Sequence, residues 1–260
     1  MNVPQPGSQR FARSAPQVDT QTRPPAVRSL SGIYHLHPLV AGPLREWSRW
    51  FDHIAGMGFR SVCLAPPFEP GGSGDIFVHA TFDRLHPRLG FDGPAWDGIA
   101  WAVRAADAVG IRLLLDMTPD QVAADAPVHQ RHPDWFGAEA DIAPDPRRQP
   151  TRLDVAVPRA GWASQADGLS DWWIAQATRL LQTGVAGFRC MGLDRVPRRF
   201  WRDLASAVSA EQPNATLIAW TPGVPRATVP GLSGLGFDRT CSSAAWWDGR
   251  AAWFFDEHAT

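Results

Sequence analysis

Short apolar runs, each followed by a helical stripe, recur from residue 32 onward, and this alternation constrains the fold more than any single motif. Ile33 to Leu36, Ser61 to Leu64, Ile111 to Leu115, Ala186 to Cys190, Thr216 to Ala219 and Phe237 to Cys241 read as strands. An unbroken run such as Ile111 to Leu115 is what a strand covered on both faces carries. Helices lie between them. Pro43 opens the first, as proline does at a first helical position; Leu44, Trp47, Trp50, Phe51 and Ile54 form its buried stripe, and Gly56 and Gly58 stop it. The second runs from Trp96 to Val109 with Ile99, Ala100, Val103 and Ala106 inward. Ser170 caps a third with Trp173, Ala177, Leu180 and Leu181 inward. Pro197 starts a fourth with Phe200, Trp201, Leu204 and Val208, and Ala244 to Glu257 is a last helix. Strands alternating with helices at this spacing give parallel β/α units. The expected fold class is α/β: an incomplete TIM-type (β/α) barrel of about six units, where closure takes eight. Two stretches interrupt it. Residues 65–94 hold Gly71-Gly72-Ser73-Gly74, which lacks the spacing of a dinucleotide fingerprint and reads as a surface loop. Residues 117–168 read as a Pro- and Asp-rich loop.

Residues 1–29 are rich in Pro, Gln, Ser and Arg and read as a disordered tail, which leaves 30–260 for the partial barrel. No secretory run of apolar residues is present, and the expected location is cytoplasmic. A net charge of −1 gives no nucleic-acid footprint, and no membrane is expected. All 25 basic residues are Arg, so Schiff-base chemistry and a phosphate-loop Lys are excluded. Cys63, Cys190 and Cys241 are widely spaced and odd in number, which fits buried packing residues in a reducing compartment. No paired ligand spacing supports a metal, and no cofactor is expected. Against a single Tyr the chain has 13 Trp, and Trp faces stack on sugar rings. Helical spacing assigns Trp47, Trp50, Trp101, Trp172, Trp173 and Trp201 to the core. Trp135, Trp162 and Trp220 fall near strand ends or in loops and are the cleft candidates.

Polar residues gather after the strands, at Asp116, at Arg189 and in the turn Thr221-Pro222-Gly223. In a β/α barrel that end holds the active site. Arg189 at the end of a buried strand is costly without a carboxylate, and Asp116 is the expected partner. The run Gly187-Phe188-Arg189 resembles the fourth-strand signature Gly-Phe-Arg-x-Asp of the α-amylase family of glycoside hydrolases. Met191 stands where that signature has the nucleophilic Asp. In Asp116-Met-Thr-Pro-Asp120-Gln121, similar to the family's Asp-x-x-x-Asn-His, Asp120 replaces Asn and Gln121 replaces His. Trp220 takes the place of the acid/base Glu after the fifth strand, and the family's later His-Asp pair has no counterpart. Ala124-Asp125-Ala126-Pro127, His132-Pro133-Asp134-Trp135-Phe136 and Trp246-Trp247-Asp248 resemble the maltosyltransferase branch, which builds α-1,4-glucan from maltose 1-phosphate.

Retaining cleavage of a glycoside needs two carboxyl groups about 5–5.5 Å apart. A thioether at Met191 and an indole at Trp220 supply neither. The resemblance therefore implies a degenerate domain with no catalytic residue. Its vestigial or sugar-binding set is Asp116, Asp120, Gln121, Arg189, Met191, Asp194 and Trp220. The expected partners are an α-glucan or maltooligosaccharide, and a partner chain or homo-oligomer that completes the barrel by pairing with its open edges. The alternative is an active hydrolase or maltosyltransferase using relocated carboxylates, Asp120 or Asp194. Catalysis tolerates displacements of only about 1 Å, and Asp194 lies three residues past Met191. Capping the Pro197 helix, or pairing with Arg195 or Arg198, is its structural reading.

Overall fold

The computed structural model describes residues 32–137, 159–162, 167–225, 227–250, 252 and 255. The expected tail, 1–29, lies outside them. In chain order the elements are β1 (Ile33–Leu36), α1 (Pro38–Ala41), α2 (Trp47–Gly56), β2 (Ser61–Leu64), β3 (Phe68–Pro70), β4 (His79–Leu85), α3 (Ala95–Asp107) and β5 (Arg112–Met117). Then follow β6 (Val122–Ala123), α4 (Pro127–Arg131), β7 (Phe136–Gly137), β8 (Arg159–Trp162), α5 (Asp167–Gln182), β9 (Gly187–Cys190), α6 (Arg198–Glu211), β10 (Thr216–Ala219) and β11 (Arg239–Thr240).

Six strands form one parallel sheet in the order β1-β2-β5-β9-β10-β11, an incomplete α/β barrel. The order follows the chain, as expected where consecutive elements pack as neighbours. The two sides of the sheet differ. One packs on the helices in a large core whose fully buried side chains include Trp47, Phe51, Ile54, Trp173, Phe200 and Trp201. Burying side chains of this size contributes roughly 1.5–3 kcal/mol each. The other side carries a small separate cluster of Cys63, Leu114 and Ile218 with Ile33 and Cys241 against it. Four of the six expected strands match closely, and the stripes of α5 and α6 are buried as their spacing predicts. Gly187 is required at the start of β9. It has φ +143°, and a Cβ there would lie 2.0 Å from the Thr216 carbonyl oxygen, so only glycine lets β9 and β10 close.

Several expectations need correction. Residues 65–94 are not a surface loop: β3 and β4 form an antiparallel hairpin, and Phe68, Ile76, Val78, Phe82 and Leu85 are buried. Its glycines disguise a compact insert, with the tetrad Gly71 to Gly74 between its strands. Residues 117–168 contain α4 and the three-stranded sheet β6-β8-β7; 138–158 and 163–166 lie outside the described residues. Helix α5 begins at Asp167, so Ser170 sits inside its first turn and does not cap it. The second helix turns Ala102 inward, while Ala100 is only half-buried. Leu44–Glu46 is a 3₁₀ turn that leads into α2, and Trp50 is half-buried. The last strand shortens to two residues. A 3₁₀ turn, Ser243–Trp246, replaces the start of the expected last helix, most of whose remainder lies outside the described residues.

Candidate functional site

Paired residues of a parallel sheet point to the same face, so the register dictates what meets at the strand ends. His35 pairs with Cys63, and Asp116 pairs with Arg189. Each is the second-to-last residue of its strand. Together they form one polar chain across the sheet. Arg189 grips Asp116 bidentately, with Nε on Oδ1 and Nη2 on Oδ2, both at 2.6 Å. His35 Nε2 lies 3.2 Å from Oδ2, and Cys63 Sγ donates to Oδ1 at 3.1 Å. The Asp116 side chain has no exposed surface, that of Arg189 is 13% exposed, and His35 at 40% is the most open of the three. Burial works to raise the carboxyl of Asp116, but hydrogen bonds from His35 and Arg189 and the Arg189 charge outweigh it and hold it below the usual carboxylate range. Burial and the Asp116 charge push the Cys63 thiol well up, so it is a packing group and not a nucleophile.

Trp220 follows β10 and lays its ring over this pair, with Arg189 Cζ 4.5 Å from the ring centre. A cation over an indole contributes about 0.5–2 kcal/mol, more when desolvated. The strand-end residue Met191 donates its N–H to the Met117 carbonyl at 2.9 Å, and the Trp220 N–H reaches the Cys190 carbonyl at 2.9 Å. These bonds fix both positions beside the Arg189–Asp116 pair.

The remaining residues separate. Asp120 is buried and ion-paired to Arg195, with Oδ1 left without a partner among the described residues. Gln121 is buried beside it in the chain. Gly192, at φ +70°, lets the backbone pass Asp120; a Cβ there would lie 2.3 Å from the Asp120 Cβ. Asp194 is exposed and makes no ion pair among the described residues, because Arg195 is taken by Asp120. No side chain caps α6, so Asp194 does not cap it. Two of the cleft tryptophans face protein groups. The Trp135 ring stacks on His132 at 3.9 Å, and a Cβ on Gly168 would sit 2.4 Å from it. Trp162 donates its indole N–H to the Pro119 carbonyl and packs on Phe200. The sequence reading missed His35 and Cys63 as partners of Asp116. Their shared place, one residue before the strand end, points to Asp116 only once the register of the sheet is known.

No family model matches the chain. The curated α-1,4-glucan:maltose-1-phosphate maltosyltransferase of Burkholderia pseudomallei is 31% identical over 92% of this chain and 21% of its own length. The maltosyltransferase of Bifidobacterium longum is 26% identical over 73% of the chain and 25% of its own. The chain is α-amylase-like and resembles the maltosyltransferases. It spans only about a quarter or less of these two relatives' length. Among solved structures, the α-amylases of Geobacillus thermoleovorans and Anoxybacillus superpose with a TM-score of 0.65 at 18% identity, covering 80% and 82% of this chain and about half of theirs. That likeness carries the fold alone. In this α-amylase-like sheet, Met191 and Trp220 flank a carboxylate, Asp116, that is fully engaged by three side chains. No helix among the described residues is long and apolar enough to cross a membrane.

Proposed function

We propose that this chain is a noncatalytic α-amylase-like domain of α-glucan metabolism, which takes an α-glucan or maltooligosaccharide as ligand at most and does not cleave it. The observation that carries this reading is the residue type at the two strand ends that the sequence resemblance aligns with the family's carboxylates. One position is a thioether, Met191; the other, Trp220, is an indole stacked on Arg189. Neither accepts or delivers a proton at neutral pH. General acid/base catalysis alone supplies about 10²–10⁴-fold, and a nucleophile more. Relocation to Asp120 or Asp194 is not supported: Asp120 is held by Arg195, and Asp194 lies on the exposed surface.

The test is an assay on maltooligosaccharides and maltose 1-phosphate beside calorimetric titration of the same ligands. Turnover is expected at the no-enzyme background for the wild type and for Asp120→Ala and Asp194→Ala alike. Wild-type turnover that either substitution abolishes would establish the active alternative.

A structural role as part of a larger assembly is the second reading. Among the described residues β1 and β11 each pair on one side only, so both edges carry unpaired backbone groups. Sedimentation separates the cases: a complex or oligomer supports this role, and a dilution-stable monomer removes it.

A further inference from the structure

Three His-Pro dipeptides occur in the chain, and each opens a short helical turn: His37 before α1, His86 before the 3₁₀ turn Pro87–Leu89, and His132 before the 3₁₀ turn Pro133–Trp135. Proline has no N–H to satisfy, so the first orphan donor of each turn belongs to the residue after it. At two of the three sites the imidazole takes that donor. His37 Nδ1 accepts from the Leu39 N–H at 3.3 Å, and His86 Nδ1 accepts from the Arg88 N–H at 3.1 Å. The His132 ring makes no such bond and stacks on Trp135 instead. The two capped turns touch each other. A second bond anchors the His86 end, whose N–H donates to the Pro67 carbonyl at 2.8 Å.

An imidazole accepts a hydrogen bond only while neutral; protonation turns Nδ1 into a donor facing another donor. The surroundings oppose that charge. His37 is influenced by His35 on β1 and lies near His86. His86 meets Arg88 on its own turn and His37 from the α1 side; Glu69 on β3 is the one acid among them and is already paired with Arg84 at 2.8 Å. We propose that His37 and His86 form an acid-released latch, holding the corner between β1 and the hairpin while neutral and letting both turns open together when protonated. The consequence reaches the strand ends, because His35, two residues before His37, is the group that β1 contributes to Asp116.

Burial, and then the charge of His35, lowers His37 below its ordinary 6.5. Burial, and then Arg88, lowers His86, with Glu69 opposing. The caps are therefore complete above about pH 6.5 and are lost as the pH falls below it through the folded values.

Hydrogen exchange, corrected for intrinsic rates, tests this at pH 7 and pH 5.5 on the wild type and on the His37→Asn/His86→Asn variant, since Asn caps without titrating. Relative to amides of α2 and β5, protection of the Leu39 and Arg88 amides is expected to fall about threefold or more in the wild type. It is expected to stay level in the variant. In parallel, the wild-type amide shifts of Leu39 and Arg88 are expected to track the imidazole titrations of His37 and His86. The latch is overturned if wild-type protection holds at both sites or the amide shifts ignore the titrations. It is equally overturned if the Asn variant loses as much, or if all amides lose protection together.

Discussion

Replacing Asp116 with Asn is expected to cost about 3–5 kcal/mol of folding stability at neutral pH, the usual cost of removing one partner from a buried ion pair. The carboxylate has no exposed surface and three partners. Without it the guanidinium of Arg189, itself 13% exposed, keeps its charge in an apolar setting. Urea unfolding followed by circular dichroism measures the difference. Asp116→Leu combined with Arg189→Met is expected to recover most of the loss, because an apolar pair of similar volume often matches a buried ion pair. A comparable loss in the double variant would show that the charge left behind was not the source of the cost. The exposed pair Glu69–Arg84 is the internal contrast: its Arg is 72% exposed, and Glu69→Gln is expected to cost under about 1 kcal/mol. Because the Asp116 carboxyl is lowered in the fold, its contribution is complete above the unfolded value of 3.8 and disappears only as the pH falls through the folded one.

Acid is expected to weaken the fold earlier, through His79. This ring is 2% exposed and surrounded by Phe68, Phe82 and Trp173, whose ring centres lie 6.1, 4.5 and 5.5 Å away. Neither of its nitrogens has a partner among the described residues. Burial pushes it down from 6.5 to about 4. The unfolded chain therefore takes up a proton that the folded chain refuses, and stability is lost as the pH falls from about 6.5 toward about 4. A shift of this size corresponds to roughly 3 kcal/mol. Denaturant unfolding at pH 7 and pH 4.5 is expected to show most of that drop in the wild type. His79→Leu is expected to flatten the pH dependence and to be at least neutral at pH 7, since it trades an unsatisfied polar ring for an apolar side chain. An unchanged pH dependence in the variant would move the acid sensitivity elsewhere, to His37 and His86 first.

The parallel sheet was legible because its strands are written as apolar runs with a polar residue near the end, and its helices as stripes of Trp, Phe and Leu. The hairpin was not legible. Its buried residues, from Phe68 to Leu85, are interrupted by glycines and by Glu69, Asp83 and Arg84, so neither period shows over a long enough window. The Asp116–Arg189 pair could be expected from cost alone. Its other partners could not, because a lone His or Cys in a strand has many uses and only the register brings His35 and Cys63 to the same carboxylate. Asp194 failed as the partner of Arg195 for a related reason: proximity in sequence counted for less than the distant Asp120, 75 residues from Arg195.

The polar chain from His35 to Arg189 has a practical corollary. It staples four neighbouring strands at their ends without drawing on Met191 and with Trp220 contributing only a lid. The side chains that tie the strand ends together are thus not those at 191 and 220. The partners of Asp116 are His35, Cys63 and Arg189, so a change at 191 removes none of them, whereas a change at 220 takes away the ring that covers Arg189.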